Sequence, residues 1–198
     1  MNKNFKTFVN ESSLNRVWKH SQEHDTGTIS AFRYAKDCGD GERYSLDDNK
    51  KRSSELKSKL LASGYGVTLV KGTYIENYGK DNEQEVQEDS YLVVDLKDSG
   101  NLKKDLIKFG SQYEQDSITF SEKSGEYYLI SSNKCPSGYP GNGTIGKEVK
   151  LGKPLFGAKG EFHSKINGRP FVFESIGTFE TLLDHTPTEI RSIKASLK

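Results

Sequence analysis

Alternation of apolar and polar positions is the dominant pattern in the middle of this chain, and it predicts β-strands. The runs are rich in β-branched and aromatic residues, as strands are. A link of three residues, Lys123–Gly125, predicts a hairpin between two of them. The predicted strands are residues 28–34, 65–76, 86–96, 117–122, 126–132 and 168–175.

Helical spacing of apolar residues appears between these strands. Leu14, Val17 and Trp18 share one side of a short N-terminal helix, which a turn at residues 24–27 follows. Serine and asparagine are favoured N-cap residues, and glycine is favoured just after a helix. The other predicted helices run from the cap Ser45 to Gly64, from the cap Asn101 through LKKDLIKFG, and over residues 187–197.

The order β-α-β-β-α-β-β predicts an α+β fold, in which helices pack on one face of a mainly antiparallel sheet. With 198 residues the chain fits a single domain. Gly and Pro dominate from Cys135 to Gly160, which predicts a long irregular loop that is functional or mobile. The predicted parts are an N-terminal helical segment (1–26), an α+β core (27–133), the loop (134–160), and a C-terminal strand and helix (161–198).

Charge gives no global argument for binding nucleic acid, because 29 basic and 28 acidic residues leave a net charge of +1. Residues 134–198 are mildly basic, with 10 Lys or Arg against 6 Asp or Glu. Aromatic residues interleave with these cations, a mix that can contact single-stranded nucleic acid. A solvated basic face with its aromatic rings turned inward is the favoured alternative. The residues are Lys147, Lys150, Lys153, Lys159, Lys165 and Arg169, with Phe156, Phe162 and Phe171.

Two features favour the cytoplasm of the producing cell. No apolar stretch approaches the roughly 20 residues that span a bilayer, and the N-terminus lacks the apolar region of a signal peptide. Cys38 and Cys135 can form one bridge, but they do not constitute a disulfide framework. We therefore expect no membrane partner.

Several segments resemble a recurrent family of small tailed-phage proteins that has no assigned activity and is similar to a bacterial domain of unknown function. The resemblance implies phage origin and expression in the cytoplasm of a bacterial host, with virion association left open. It implies no particular chemistry. The matching segments are ISAFR (29–33), YSLDDNKKRSSEL (44–56), GYGVTLVKGTYIENYG (64–79), EDSYLVV (88–94), QDSITF (115–120), and GEF with GRPFVFES (160–175).

Polar residues at costly positions give the best prediction of a ligand-binding site. If Ile29, Leu92 and Val94 face the helices, the same alternation turns polar residues of both strands inward. Buried charges cost several kcal/mol unless they are paired, so we expect these side chains to converge with polar residues near the start of the Ser45 helix. The predicted cluster is Arg33, Asn49, Arg52, Glu88 and Ser90.

This cluster has two interpretations. Two arginines near a helix N-terminus can clamp a phosphate or a carboxylate, with Glu88 as general base. The structural alternative, which is favoured, is that Arg33 or Arg52 pairs with Glu88 and fixes a strand to a helix. The site is predicted to be bordered by Tyr74 and Glu76 on one side and by Gln115, Asp116 and Ser117 on the other. Turn formation and strand-edge capping are the favoured alternatives for these residues.

Other motifs are weaker. Gly141, Gly143 and Gly146 match the spacing of a dinucleotide-binding loop but lack its strand–turn–helix context. His20 and His24 have the spacing of two metal ligands on a helix, but no further ligand completes a motif. We therefore interpret both as surface histidines. We predict no metal and no cofactor.

No complete set of nucleophile, base and metal ligands can be assembled, which favours a non-enzymatic phage accessory protein that binds a host protein or a nucleotide-like ligand. One alternative is a hydrolase or transferase of a phosphate-containing substrate that uses Arg33, Arg52 and Glu88. Another is a DNA-associated or virion structural component that uses the basic C-terminal third.

Overall fold

The computed structural model describes residues 14–76, 84–152, 154–156, 162–166 and 169–173, and gives the side chains of residues 19–72 and 89–152. These residues form three α-helices and nine strands in one sheet. The helices are α1 (Leu14–Glu23), α2 (Leu46–Ala62) and α3 (Leu102–Gln112). The strands are β1 (Thr26–Ser30), β2 (Gly66–Glu76), β3 (Gln84–Val94), β4 (Ser117–Ser121), β5 (Tyr127–Ser131), β6 (Glu148–Gly152), β7 (Pro154–Phe156), β8 (Phe162–Ile166) and β9 (Arg169–Phe173).

The strands follow the spatial order β6-β5-β4-β1-β3-β2-β8-β9-β7, and each described pairing is antiparallel. Strand β1 lies at the centre of the helix-covered part, with Ile29 opposite Tyr91 of β3 and Gly27 opposite Phe120 of β4. The α+β class and the mainly antiparallel sheet are therefore confirmed.

Helices α2 and α3 cover one face of β1, β3, β4 and β5. Ile29 and Ala31 of β1 face these helices and are buried. Gly27 is on the same side, where a Cβ atom would lie only 2.5 Å from Leu106 Cδ1, so only glycine lets α3 come this close. The other members of this core include Leu56, Leu60, Leu102, Leu106, Phe109, Tyr91, Val93, Ile118, Phe120 and Ile130.

The ends of α2 agree with the sequence prediction. The Ser45 hydroxyl accepts from the backbone N–H of Asp48 at 3.1 Å, and the Asp48 carboxylate accepts from the backbone N–H of Ser45, which forms a capping box. Gly64 adopts a φ of +87°, the left-handed conformation typical of a residue after a helix. The predicted cap of α3 is wrong: Asn101 is itself in the α region and makes no side-chain cap bond.

Strand β1 is shorter than predicted because it ends at Ser30 and not at Tyr34. The Ser30 hydroxyl accepts from the N–H of Phe32, and the side-chain oxygen of Asn49 accepts from the N–H of Arg33. These side chains therefore take the backbone donors of residues 32 and 33, and the chain leaves the sheet.

The prediction of an irregular loop from Cys135 to Gly160 is partly wrong, because β6 and β7 lie within it. Strand β8 was not predicted either, whereas β9 agrees with the predicted strand at residues 168–175. The predicted helix at residues 187–197 lies outside the described residues. The division of the chain into four parts stays a prediction.

A disulfide joins Cys38, in the turn after β1, to Cys135, in the loop after β5. The sequence left this pairing open. Among the described residues, the helices are too short or too polar for any of them to cross a bilayer.

Candidate functional site

A cavity of about 520 Å³ lies at one end of β1, on the face of the sheet that α2 and α3 do not cover. Its volume falls within the range of small-molecule sites in proteins. The residues that line it come from β1, β3, β4 and β5, from the turn after β1, from the segment before β4 and from the loop after β5.

Hydroxyl groups form the floor of the cavity. Because side chains alternate along a strand, Thr28 and Ser30 point away from the helices that Ile29 and Ala31 contact. Thr28 Oγ1 and Thr119 Oγ1 lie 2.7 Å apart, and Thr119 Oγ1 also accepts from the backbone N–H of Thr28 at 3.0 Å. The floor is therefore polar but internally hydrogen-bonded.

Arg33 and Asp116 form the charged end of the cavity. Arg33 Nη1 donates to Asp116 Oδ1 at 3.1 Å and to the carbonyl of Glu114. Nη2 of Arg33 lies 3.7 Å from the Cys135 sulfur. The Arg33 side chain is 12% exposed and that of Asp116 is 44% exposed, so the carboxylate is the more accessible partner.

Asp116 is the carboxylate that lines the cavity among the described side chains. Its Oδ1 also accepts from Asn133 Nδ2 at 2.8 Å, whereas Oδ2 makes no hydrogen bond within the described residues. Neighbouring Gln115 donates from Nε2 to the carbonyl of Phe32 at 2.9 Å and to that of Tyr113 at 3.2 Å. Gln115 thus holds the backbone of the site together, and Asp116 offers an oxygen to a cationic group.

Two aromatic residues and the disulfide complete the lining. Phe32 is half-buried, and Tyr34 is 63% exposed with the Arg43 guanidinium 4.6 Å from its ring centroid. Cys38 lines the cavity next to them and is bonded to Cys135. The disulfide therefore ties this aromatic rim to the loop after β5.

The predicted arginine clamp does not form. Arg52 Nε donates to the carbonyl of Ala31 at 3.0 Å and Nη2 to that of Tyr113 at 2.6 Å, while its guanidinium lies 4.2 Å from the Tyr44 ring. Asn49 exchanges two hydrogen bonds with the backbone of Arg33. Neither Asn49 nor Arg52 lines the cavity, because both use their polar atoms to hold the chain where it leaves β1.

Five of the predicted site residues do lie around one cavity: Arg33, Ser90, Gln115, Asp116 and Ser117. The reasoning that grouped Arg33 with Ser90 was partly wrong, however. Tyr91 and Val93 of β3 face the helices, and the Tyr91 hydroxyl lies 2.9 Å from Ser53 Oγ of α2. Ser90 and Leu92 therefore point to the opposite face. A role for these residues in binding a ligand stays a prediction.

The remaining predicted residues lie on the long β2–β3 hairpin. In its backbone, Glu88 pairs with Gly72, Tyr74 with Val86, and Glu76 with Gln84. The side chains of Tyr74, Glu76 and Glu88 lie outside the described residues, so their roles also stay predictions.

Sequence reasoning missed Thr28, Ser30 and Thr119. Their signal was a hydroxyl residue at every second position of TGTIS and SITFS, an alternation that places all of them on one face. In β1 and β4, the hydroxyl residues of the alternating pattern thus mark the face that lines the cavity.

The glycine motif forms a turn and not a nucleotide-binding loop. The N–H of Thr144 donates to the carbonyl of Gly141 and the N–H of Gly146 to that of Ser131, and strand β6 follows where a dinucleotide site has a helix. Among the predicted basic residues, Lys150 pairs with Glu126 at 2.6 Å. The side chains of Lys153, Lys159, Lys165 and Arg169 lie outside the described residues, so contact with nucleic acid stays a prediction.

Comparison with solved structures finds a phage SAM lyase in complex with S-methyl-5'-thioadenosine, where SAM is S-adenosylmethionine. That chain is 13% identical, the match covers 65% of the present chain and 88% of the other, and the TM-score is 0.24. Comparison with curated proteins finds no match.

Comparison with family models finds the S-adenosylmethionine lyase family, whose model matches residues 27–188. A lyase is an enzyme, so this match overturns the prediction of a non-enzymatic accessory protein and corrects the view that the family has no assigned activity. On this match, the chain belongs to the S-adenosylmethionine lyase family.

Proposed function

We propose that this protein is a lyase that cleaves S-adenosylmethionine in the cavity at the end of β1, and that it releases S-methyl-5'-thioadenosine. Membership of the family gives the reaction class. The observation that gives the reaction a proposed location is a cavity, formed by described residues, in which a carboxylate, hydroxyl groups and aromatic rings meet.

The substrate presents groups that match this lining. Its adenine is a flat aromatic ring that can stack on Phe32 or Tyr34 at the rim. Its ribose carries two hydroxyl groups that suit the hydroxyl floor of Thr28, Ser30 and Ser90. A cavity of about 520 Å³ is within the size range of sites for ligands of this class.

Asp116 is assigned to the α-ammonium group of the substrate. Its Oδ2 is available within the described residues, and a charge-assisted hydrogen bond to an ammonium is among the stronger contacts that a carboxylate makes. The ammonium stays charged throughout the reaction, whereas the sulfonium loses its charge as its bond to carbon breaks. A carboxylate next to the sulfonium would stabilise the ground state more than the transition state and slow the reaction.

The bond between sulfur and Cγ of the methionine part can break without a second reactant. The substrate's own carboxylate is within reach of Cγ; as its oxygen forms a bond to Cγ, the C–S electron pair moves to sulfur and neutralises the sulfonium. The products are a five-membered lactone and S-methyl-5'-thioadenosine, and no proton or water is needed. The Arg33 guanidinium suits this route because Nη1 donates to Glu114 and Asp116, Nη2 lies against the Cys135 sulfur, and Nε is buried away from the cavity space. Little of the guanidinium is therefore left to restrain the substrate carboxylate.

Elimination is the alternative route to the same nucleoside product. A base removes a proton from Cβ, the C–S bond breaks, and an unsaturated amino acid forms in place of the lactone. The predicted general base Glu88 would serve this route. Proton NMR of the four-carbon product distinguishes the two routes, because the lactone and the unsaturated amino acid are isomers of equal mass and only the amino acid has vinyl protons. A Glu88→Gln variant should keep turnover if the lactone forms and lose it if Glu88 is the required base.

The test of the proposed function is steady-state kinetics of the native chain and of Asp116→Asn, with S-methyl-5'-thioadenosine measured by liquid chromatography. We expect the native chain to form this product. In Asp116→Asn we expect the KM to rise about 10- to 100-fold with a smaller change in kcat, since a hydrogen bond to a charged group contributes roughly 1.5–3 kcal/mol.

Glu122→Gln is the matched control, because Glu122 is an exposed carboxylate directly after β4, the strand that follows Asp116, and does not line the cavity. Thermal unfolding of both variants checks that Arg33 tolerates the loss of its charged partner. The proposal is wrong if the native chain leaves S-adenosylmethionine intact, and the location is wrong if Asp116→Asn has the kinetics of Glu122→Gln.

A further inference from the structure

Three potential metal ligands lie together at the end of α1, away from the cavity. His20 and Glu23 belong to the last turn of the helix, and the N–H of His24 donates to the carbonyl of His20 at 2.8 Å, which extends the helical path to His24. Residues at spacings of three and four share one side of a helix. One ligand atom from each of the three residues lies within 4.8 Å of the other two.

Asp98 is the hydrogen-bond partner of His24, which the spacing of the two histidines in the sequence could not reveal. Its Oδ1 lies 2.9 Å from His24 Nδ1, although the two residues are 74 positions apart in the chain. A carboxylate is an acceptor, so Nδ1 carries the proton and the lone pair of the imidazole is on Nε2. Metal-bound histidines have this arrangement, in which a carboxylate fixes the tautomer and the orientation of the ring.

The donor set has a chemical preference. Two imidazoles and one carboxylate are the protein ligands of many zinc sites and leave a further position for water, whereas calcium and magnesium require mostly oxygen ligands. The His20 and His24 rings are half-buried with centroids 5.9 Å apart, so they are partly ordered by their surroundings.

We propose that His20, Glu23 and His24 bind a divalent transition-metal ion of the zinc type, and that Asp98 positions His24. The ion would replace Lys19, whose ammonium now lies 3.9 Å from the Glu23 carboxylate, as the partner of Glu23. Through His24 and Asp98 it would connect the end of α1 to the turn that follows β3.

The site does not depend on the proposed lyase activity. Residues 20–24 precede the segment that matches the family model, which begins at residue 27. The ion is therefore assigned a structural role, in which it fixes α1 to the sheet. Removing it is expected to lower the thermal stability without changing the chemistry of the cavity.

The experiment is isothermal titration calorimetry of the full chain with zinc chloride, together with thermal unfolding with and without zinc. We expect one ion per chain in the native protein and an increase in Tm with zinc, since an ion that binds the folded state stabilises it. His20→Ala is expected to abolish this binding. Asp98→Asn is expected to weaken it about 10- to 100-fold, the usual effect of losing the partner of a metal-bound histidine.

Gln22→Ala is the matched control, a change on the same helical turn that removes no ligand, and it should bind zinc like the native chain. The proposal is overturned if the native chain shows neither a binding heat nor a change in Tm. It is equally overturned if His20→Ala binds zinc as tightly as the Gln22→Ala control, because the ion would then be held elsewhere.

Discussion

The two faces of the central strand β1 have opposite chemistry within five consecutive residues. Gly27 and Ile29 face the helices and contribute to a core of buried aliphatic and aromatic side chains. Thr28 and Ser30 face the cavity, where hydroxyl groups bond to each other and to the backbone. One strand thus carries both the stability of the fold and the floor of the candidate site.

The difference explains how a polar surface can exist inside this fold at little cost. The hydroxyls of Thr28, Thr119 and Ser30 have partners: Thr28 and Thr119 bond to each other, and Ser30 donates to the carbonyl of Asp89 at 2.9 Å. A buried polar group is costly when it has no hydrogen bond, and these groups are satisfied before a ligand arrives. We therefore expect substitutions on the helix face to change stability and those on the cavity face to change activity.

The largest expected effect is on the helix face, in Leu106→Ala. Leu106 is fully buried in the core between α3 and β1. Truncating a buried leucine removes its transfer free energy and leaves a cavity, so the free energy of unfolding should fall by about 2–5 kcal/mol. Chemical denaturation followed by circular dichroism measures it, and the KM of the fraction that stays folded should be close to native.

Leu61→Ala is the control for this prediction, because Leu61 is on α2 but is 51% exposed. Its free energy of unfolding should change by no more than about 0.5 kcal/mol. Equal losses in Leu106→Ala and Leu61→Ala would contradict the assignment of the helix face as the core.

The fold was largely predictable because its signals are local. The capping box of Ser45 and Asp48 and the left-handed Gly64 follow from residue type and position, and so do the bounds of α2. The strands β6 and β7 were missed because the Gly- and Pro-rich composition of Cys135 to Gly160 masked their short alternating runs, and β8 was missed because it is only five residues long. Their pairing depends on partners far along the chain, and no local pattern shows those partners.

The candidate site was predictable only in part. Period-two alternation tells which residues share a face but not which face meets the helices, so Ser90 was placed with the core and Tyr91 away from it. The hydrogen bond between the hydroxyls of Tyr91 and Ser53 on α2 shows the true orientation. Likewise, the spacing of Arg52 put it near the site, but only the structure shows that its guanidinium donates to two backbone carbonyls and to the Tyr44 hydroxyl.

The next largest effect is expected on the cavity face, in Ser90→Phe. Ser90 lines the cavity opposite Ser30 of β1, and a phenyl ring there would occupy space that the proposed substrate needs. We expect turnover of S-adenosylmethionine to fall at least about 100-fold, which corresponds to roughly 2.7 kcal/mol in the transition-state free energy. Thermal unfolding of the same sample should show a folded protein.

Ser90→Ala separates the loss of space from the loss of a hydroxyl group. It keeps the cavity open, so its kcat/KM should fall by no more than about 10-fold, the effect of one neutral hydrogen bond. If Ser90→Phe turns over substrate as well as Ser90→Ala does, the substrate binds somewhere other than this cavity.

The smallest effect is expected at the exposed start of α2, in Ser45→Ala. Loss of an N-cap hydroxyl typically lowers the free energy of unfolding by about 1 kcal/mol, and Ser54→Ala, an exposed change inside the same helix, serves as the control. Activity should be unchanged in both, since neither residue lines the cavity. A loss in Ser45→Ala no larger than that in Ser54→Ala would mean that the cap does not stabilise α2.

The effect of Ser45→Ala should also depend on pH, because the hydrogen bonds from the Ser45 side chain and backbone hold the pKa of Asp48 below its ordinary value of 3.8. A carboxyl group with a lowered pKa in the folded state contributes stability above the pKa of the unfolded state and loses it as the pH falls through the folded value. The difference between the native chain and Ser45→Ala should therefore be constant near neutral pH and shrink below pH 3.8. Denaturation curves across this range test it: a difference that grows on acidification would show that the Asp48 carboxylate does not strengthen the cap. Both outcomes concern only the start of α2, on the core face of the sheet. The kinetics of S-adenosylmethionine cleavage should therefore be the same in Ser45→Ala and in the native chain.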